Sequence, residues 1–473
     1  MPIISARPNV LWICTDQQRS DTIGALGNQY VRTPNLDRLV SEGVAFTHAY
    51  CQAPVCTPSR ASFLTGMYPS TVHGCMNGND HWADATPLVT KLLADAGYDC
   101  GLVGKLHLAG AQGRIELRAD DGYRLFNWSH SPRDNWERDH AYADWVRSQD
   151  ESLAEFDQHP ERIPPPLHQT TWCAGQAIRF IEEELHQPWL ISVNTFDPHP
   201  RSSVFAPPQD ILDRYDPNSM PGPLFRESDL TAQATLDGID FQTKPRRPED
   251  YDAKVVQAAY YAMIELVDDN VGRILAALER TGQRENTIII FMSDHGEMLG
   301  DHGLLLKGCR FYEGLVRVPL IFSWPGHFRQ AIVSQTLVEL IDIAPTVLDM
   351  CGVAVPERMQ GRSLLPVLTG VGDTYRQRDT VRCEYYRALN PEAPGRLDFN
   401  GTYATMIRNE RYKLVIYHGR DIGELFDLHQ DPGEFQNLWN DPEHRDVQFD
   451  LMKKSFDALA FAVDVGPEQV TYY

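Results

Sequence analysis

Asn9-Val10-Leu11-Trp12-Ile13-Cys14-Thr15-Asp16-Gln17 decides how the rest of the chain reads. Val10 to Cys14 is an unbroken apolar run, too short for a core helix and lacking the polar alternation of a half-exposed strand. Such a run predicts a central strand buried on both faces, as in a parallel sheet covered by helices. Working outward, Thr33-Pro34 reads as helix N-cap and first helical residue, with Leu36, Leu39 and Val40 on one face and Gly43 as the stop. The same punctuation recurs at Thr86-Pro87, with Leu88, Leu92 and Leu93 inward and Gly97 closing the helix. Strand-like runs follow at 98–103, 188–196 and 286–293, and a long helix over about 251–280 is ended by Gly282. This alternation predicts an α/β fold, a large mostly parallel sheet sandwiched by helices. Residues 112–170 and 198–250 have weak periodicity and predict loops and short helices along one edge of the sheet, where specificity commonly sits. After about residue 375 the pattern shifts to closely spaced strands at 381–386, 403–408, 411–417 and 424–428, then a helix near 447–460. We therefore expect a catalytic domain over residues 1–375 and a smaller C-terminal subdomain over 376–473, an antiparallel sheet with a packed helix.

A chain of 473 residues, 42% of them hydrophobic and 23% charged, can bury the core of such a two-part soluble protein. Its 65 acidic and 43 basic side chains give a formal net charge of −22. That balance argues against nucleic-acid or anionic-membrane partners, which attract basic patches. An anionic substrate would need a site that is locally positive against this field. The N-terminus shows no basic start with an apolar stretch behind it, and no apolar run approaches the ~20 residues that span a bilayer. The nine cysteines are odd in number and without C-x-x-C pairs. They predict buried thiols in a reducing compartment, hence a cytoplasmic protein. Oligomeric state is not legible here.

In an open parallel sheet, functional groups collect at the carboxyl ends of strands. The first strand ends at Thr15-Asp16-Gln17 and the 286–293 strand at Ser293-Asp294-His295. Oxygen-rich ligands with one imidazole suit a hard divalent cation such as calcium, with manganese as the alternative. Each aspartate alone is equally consistent with capping the next helix or turn. A further stretch, Cys56-Thr57-Pro58-Ser59-Arg60-Ala61-Ser62-Phe63-Leu64-Thr65-Gly66, places a cysteine at the start of a short helix. There the helix dipole favours an anion or a polar nucleophile.

This segment resembles the maturation signal of the type I sulfatases of the alkaline phosphatase superfamily, C-x-P-S-R followed by A-S-x-L-T-G, at every position. The resemblance continues through Pro8-Asn9-Val10-Leu11, Asp16-Gln17-Gln18-Arg19 and Thr33-Pro34-Asn35-Leu36-Asp37-Arg38-Leu39. It extends to Gly104-Lys105-Leu106-His107-Leu108, Ser293-Asp294-His295-Gly296-Glu297, Gly300-Asp301-His302-Gly303 and Leu306-Lys307-Gly308. Glu424-Leu425-Phe426-Asp427-Leu428 with Asp431-Pro432-Gly433-Glu434 matches the C-terminal part. It implies a sulfuric ester hydrolase in which a formylglycine-generating maturation enzyme oxidises Cys56 to formylglycine, whose hydrate supplies the attacking hydroxyl. Asp16, Gln17, Asp294 and His295 would hold one divalent metal together with the modified Cys56. Arg60 would orient the hydrate, and Lys105 and Lys307 would bracket the sulfate oxygens. His107 would take the proton that releases sulfate, and His199 would protonate the leaving alcohol.

The pattern departs from many sulfatases at Gln17 and His295, where they carry further aspartate or asparagine ligands. That pairing resembles a bacterial branch containing phosphonate monoester hydrolases and choline-sulfatase-like enzymes. The expected substrate is a sulfate monoester, on a sulfated carbohydrate or an aryl alcohol, with phosphonate monoesters or phosphodiesters as the alternative. A non-catalytic binder of sulfated ligands is the reading of another class, should Cys56 stay unmodified. Asn77-Gly78-Asn79-Asp80-His81-Trp82 fits either sugar recognition or a capped turn. Arg201 fits either an anionic substrate or an ion pair with Asp197.

Overall fold

The computed structural model describes residues 7–82, 86–111, 115–132, 139–184, 186–200, 205–371, 377–389 and 401–463. The expected strand at the N-terminus forms over Asn9–Asp16, buried along its whole length. It lies inside an eight-stranded sheet, flanked by Trp189–Pro198 on one side and Thr287–Ser293 on the other, parallel to both. Outside Trp189–Pro198 come Asp99–Gly104 and then Leu125–Trp128, also parallel. Beyond Thr287–Ser293 the sheet continues with Leu320–Ser323, Val44–Phe46 and Ile332–Ser334. Leu320–Ser323 runs antiparallel to both of its neighbours, so the sheet is mostly parallel.

Period-two alternation divides the central strand between two cores. Val10, Trp12 and Cys14 join one apolar cluster, with Phe63 and Leu64 of the helix Cys56–Thr65 and Ile343 and Val347 of the helix Ile343–Met350. Leu11 and Ile13 join the other, with Val267, Val271 and Ile274 of the long helix Ala253–Arg280. Helices thus cover both faces, and each fully buried apolar side chain contributes about 1.5–3 kcal/mol. The layering fixes all parallel strands pointing one way, which brings Asp16, Gly104, Asp197 and Ser293 to one edge of the sheet.

The helix Pro34–Ser41 begins where expected, with Thr33 at the N-cap position, and buries Leu36, Leu39 and Val40, but the Thr33 side chain makes no capping hydrogen bond. Its hydroxyl instead accepts from Gly24 N at 2.8 Å and donates to Asp37 Oδ1 at 3.1 Å. The helix expected from Thr86-Pro87 starts later, over Val89–Asp95, with Leu88 as N-cap and Leu92 only half-buried. Gly97 closes it in the left-handed conformation, φ 91°. Within the 112–170 stretch expected to be loops and short helices, Leu125–Trp128 pairs into the sheet, and just beyond it Gln169–Ile181 forms a helix against Ala253–Arg280.

The four C-terminal strands form a separate antiparallel sheet, Val381–Tyr386, Tyr403–Arg408, Tyr412–Tyr417 and Gly423–Asp427, followed by the helix Arg445–Phe461. The boundary expected at residue 375 lies outside the described residues, as does Arg201. All nine cysteines are free thiols, eight of them buried. No helix among the described residues is long and apolar enough to cross a membrane.

Candidate active site

The helix Cys56–Thr65 is buried from end to end and enters the site by its N-terminus. Ser59 Oγ donates to Asp294 O at 2.5 Å, fastening this helix to the carboxyl end of Thr287–Ser293. Asn77 Oδ1 accepts from Thr57 N at 3.1 Å and Gly78 N donates to Thr57 Oγ1 at 3.1 Å, so the 77–82 stretch braces the helix start. Asp80 and His81, further along it, are exposed.

Cys56 Sγ stands where three groups converge. Lys307 Nζ is 2.9 Å away, His295 Nε2 3.2 Å and Asp16 Oδ1 3.6 Å. Asp16, Cys56, Asp294 and His295 are all buried and present ligand atoms within 4.8 Å of one another. His295 Nδ1 lies 2.8 Å from Gly296 O. A carbonyl only accepts, so in the neutral ring Nδ1 carries the proton and the Nε2 lone pair faces inward. Gln17 adopts φ 71°, and its backbone N–H donates to Asp294 Oδ1 at 3.0 Å. Its side-chain Oε1 accepts from Lys307 Nζ at 2.8 Å. The Lys307 ammonium therefore sits among Gln17, Cys56 and His295, a cation within a ring of acceptors.

Arg60 Nε donates to Asp294 Oδ2 at 2.9 Å and Nη1 to Lys105 O at 2.8 Å. Its Nη2, 3.8 Å from Asp16 Oδ2, is buried with no hydrogen-bond partner among the described residues. Lys105 Nζ pairs with Asp16 Oδ2, and it lies 5.5 Å from the centre of the Phe196 ring. Lys105 follows Gly104, whose φ is 101° and where a Cβ would meet Asn194 O at 1.9 Å. Only glycine fits that approach.

Burial works against the ionised form of each carboxylate, and the neighbours decide the outcome. Burial would raise Asp16, but Lys105 foremost, with Lys307 and Arg60, holds it well below the usual range. Asp294 is pushed up by burial and by the charge of Asp16. Burial and Asp16 oppose ionisation of Cys56, yet Lys105 and Lys307 hold its thiol well below the ordinary value. The acidic protein thus concentrates Arg60, Lys105 and Lys307 at this point.

Both remaining histidines share that positive field. Burial, then Lys105 and Arg60, keeps His107 well below the ordinary imidazole range. Burial, then Lys307, takes His199 down to about 3. His199 Nδ1 lies 2.8 Å from Pro200 O, which leaves Nε2 as the working nitrogen. His107 has φ 59°, and its Nδ1 makes no hydrogen bond among the described residues.

Sequence reasoning missed the groups that hold these side chains. Glu116 is buried and accepts from the backbone N–H groups of His107 at 2.7 Å and Leu108 at 3.3 Å. It fixes the left-handed turn that His107 occupies, yet it lies in a stretch with no periodic or motif signal. His130 packs edge-on against His107, ring centres 4.6 Å apart, and Phe196 packs against His199 at 4.6 Å. Phe196 was visible only as the flank of Asp197-Pro198-His199. A cavity of about 1,320 Å³ elsewhere, lined by Tyr68, Arg378, Arg382 and Phe461 among others, contains none of the site residues.

The family model described as Sulfatase matches residues 8–353, and one described as N-sulphoglucosamine sulphohydrolase, C-terminal, matches residues 300–460. An arylsulfatase of Clostridium perfringens is 29% identical over 469 residues, covering 95% of this chain and 93% of that protein. An N-acetylglucosamine-6-O-sulfatase of Bacteroides thetaiotaomicron is 28% identical over 509 residues, with 94% and 85% covered. Among solved structures, a phosphonate monoester hydrolase of Agrobacterium radiobacter superposes with a TM-score of 0.80 at 28% identity, covering 97% of this chain and 96% of that one. With the match running through the helix Cys56–Thr65 and both strand ends, at Asp16-Gln17 and Asp294-His295, the chain belongs to the sulfatase family of the alkaline phosphatase superfamily, the sulfuric ester hydrolases.

Proposed function

We propose that the protein hydrolyses sulfate monoesters, on sulfated carbohydrates or aryl alcohols, with a formylglycine made from Cys56 and one divalent cation, calcium first and manganese as the alternative. The observation that carries this reading is the convergence of Lys307, His295 and Asp16 on the Cys56 sulfur. That sulfur stands in for the oxygen of a formylglycine hydrate. Arg60 Nη2, buried and unpartnered, is a donor ready for such an oxygen. Two buried aspartates, the Gln17 carbonyl and the His295 Nε2 lone pair form a donor set suited to a hard cation. When bound, the cation supplies positive charge that polarises the sulfate and favours an ionised nucleophile.

The chain's own groups supply the rest. Lys105 and Lys307 neutralise charge on the sulfate oxygens as it builds in the transition state. His199 is held neutral by burial and the lysines, and an anion bound between those lysines offsets their field. Nε2 can then carry the proton that passes to the leaving alcohol. His107, also held neutral, is suited to accept the proton whose removal releases sulfate. The exposed Asp80 and His81 are available to a hydroxylated leaving group. A formylglycine-generating enzyme is the implied partner, the free thiols favour a cytoplasmic setting, and we divide the chain at about residue 375.

A second reading has a specific observation behind it. Hydrolysis of a phosphonate monoester needs an apolar surface beside the lysines for the carbon substituent. Phe196, against both Lys105 and His199, offers one. A matched panel of aryl sulfate, phosphonate monoester, phosphate diester and sulfated sugars separates the two. We expect a sulfate to give the highest kcat/KM, whereas a phosphonate or diester exceeding every sulfate would favour the second reading. Stoichiometric binding of sulfated sugars without turnover would point to the non-catalytic alternative.

A further inference from the structure

Glu297 is fully buried two residues beyond His295, and among the described residues its carboxylate accepts from three N–H donors. Oε1 accepts from Leu299 N at 3.1 Å and from Leu306 N, and Oε2 accepts from Gln17 Nε2. At the far end of the same amide, Gln17 Oε1 accepts from the Lys307 ammonium at 2.8 Å. A side-chain amide has one donor end and one acceptor end, and its neighbours decide which way it faces. Here an acceptor-only carboxylate and a donor-only ammonium demand the same orientation. Once a metal ion rather than Lys307 faces Gln17, Glu297 is the group that keeps the amide from turning over.

We propose that Glu297 is a positioning residue that holds Gln17 with its carbonyl oxygen toward the cation seat and so makes Gln17 a metal ligand. This inference rests on the metal site of the proposed function. It has a sharp chemical consequence. In Glu297→Gln the one remaining oxygen must serve both Leu299 N and Leu306 N, which leaves an NH2 group facing Gln17. The Gln17 amide then turns to offer its oxygen to that group and points its own NH2 at the cation.

The test is calorimetric titration of the full-length protein with calcium, for wild type, Glu297→Gln, Gln17→Ala and the double variant. Loss of an outer partner to a ligand typically weakens metal binding by ~10–100-fold, and we expect that loss in Glu297→Gln. In the Gln17→Ala background the same substitution should cause no further loss, because the amide it orients is gone. Equal losses in both backgrounds would reveal a general charge effect and overturn the proposal, as would unchanged affinity in Glu297→Gln. Glu297→Asp keeps the charge on a shorter arm and repeats the test should the glutamine variant not fold. It should weaken calcium binding only while Gln17 is present, and an equal loss without Gln17 contradicts us. Failure of wild type to bind either calcium or manganese would instead sink the metal site itself.

Discussion

The Lys307 ammonium lies 2.9 Å from the Cys56 sulfur, joining positions 251 residues apart in the chain, and it also faces Gln17 Oε1 and His295 Nε2. Two buried aspartates and an ionisable thiol create a demand for positive charge at this point, which Lys307 and Lys105 meet. The same demand is what a divalent cation would satisfy.

Chelation should therefore abolish turnover, and added calcium or manganese should restore it. Asp294→Ala should lose most bound metal, because a carboxylate leaves an oxygen-rich site. Metal content by elemental analysis, measured alongside activity, checks both. Undiminished turnover in thoroughly metal-free protein would refute the ligand assignment.

The two histidines should separate by leaving group. Without His199, esters of poorly acidic alcohols should slow by ~10²–10⁴-fold, while nitrophenyl esters, which need little protonation, suffer much less. His107→Ala should instead release one equivalent of alcohol in a burst and then stall. Rapid-mix kinetics on both variants read this directly, and identical leaving-group dependence would show that the roles are not divided.

How much of this could be read beforehand follows from what kind of force places each residue. Asn9–Asp16 and Thr287–Ser293 were legible because burial on both faces writes an unbroken apolar run, and Cys56–Gly66 because it is one continuous motif. The C-terminal strands were legible from their short regular spacing. Leu125–Trp128 was not, because it is a four-residue edge strand, mostly half-buried, inside a stretch of weak periodicity. Thr33 takes the N-cap position, but Asp37 and Gly24 engage the hydroxyl that would have capped the helix, a competition that no local rule registers. Glu116 and the role of Glu297 were invisible for a deeper reason. Each acts on backbone or amide groups that only the fold brings to it.

Glu116 gives a stability prediction with a definite sign. Burial raises its pKa from 4.5 to about 7, against the pull of the Leu108 and His107 amides. Between these values the folded state binds more protons than the unfolded one, so this group's contribution falls as pH rises from about 4.5 to about 7 and is flat outside that window. In Glu116→Gln that slope should vanish from the melting temperature measured across the window. A variant whose slope equals that of wild type would show that Glu116 does not titrate as described.

If Cys56 supplies the nucleophile only after conversion to formylglycine, mass analysis of the Cys56 peptide from natively made, active protein will show the change. The expected peptide has lost one sulfur and two hydrogens and gained one oxygen, in a fraction that rises and falls with specific activity across preparations. Fully active enzyme in which every Cys56 peptide carries an intact thiol would contradict it.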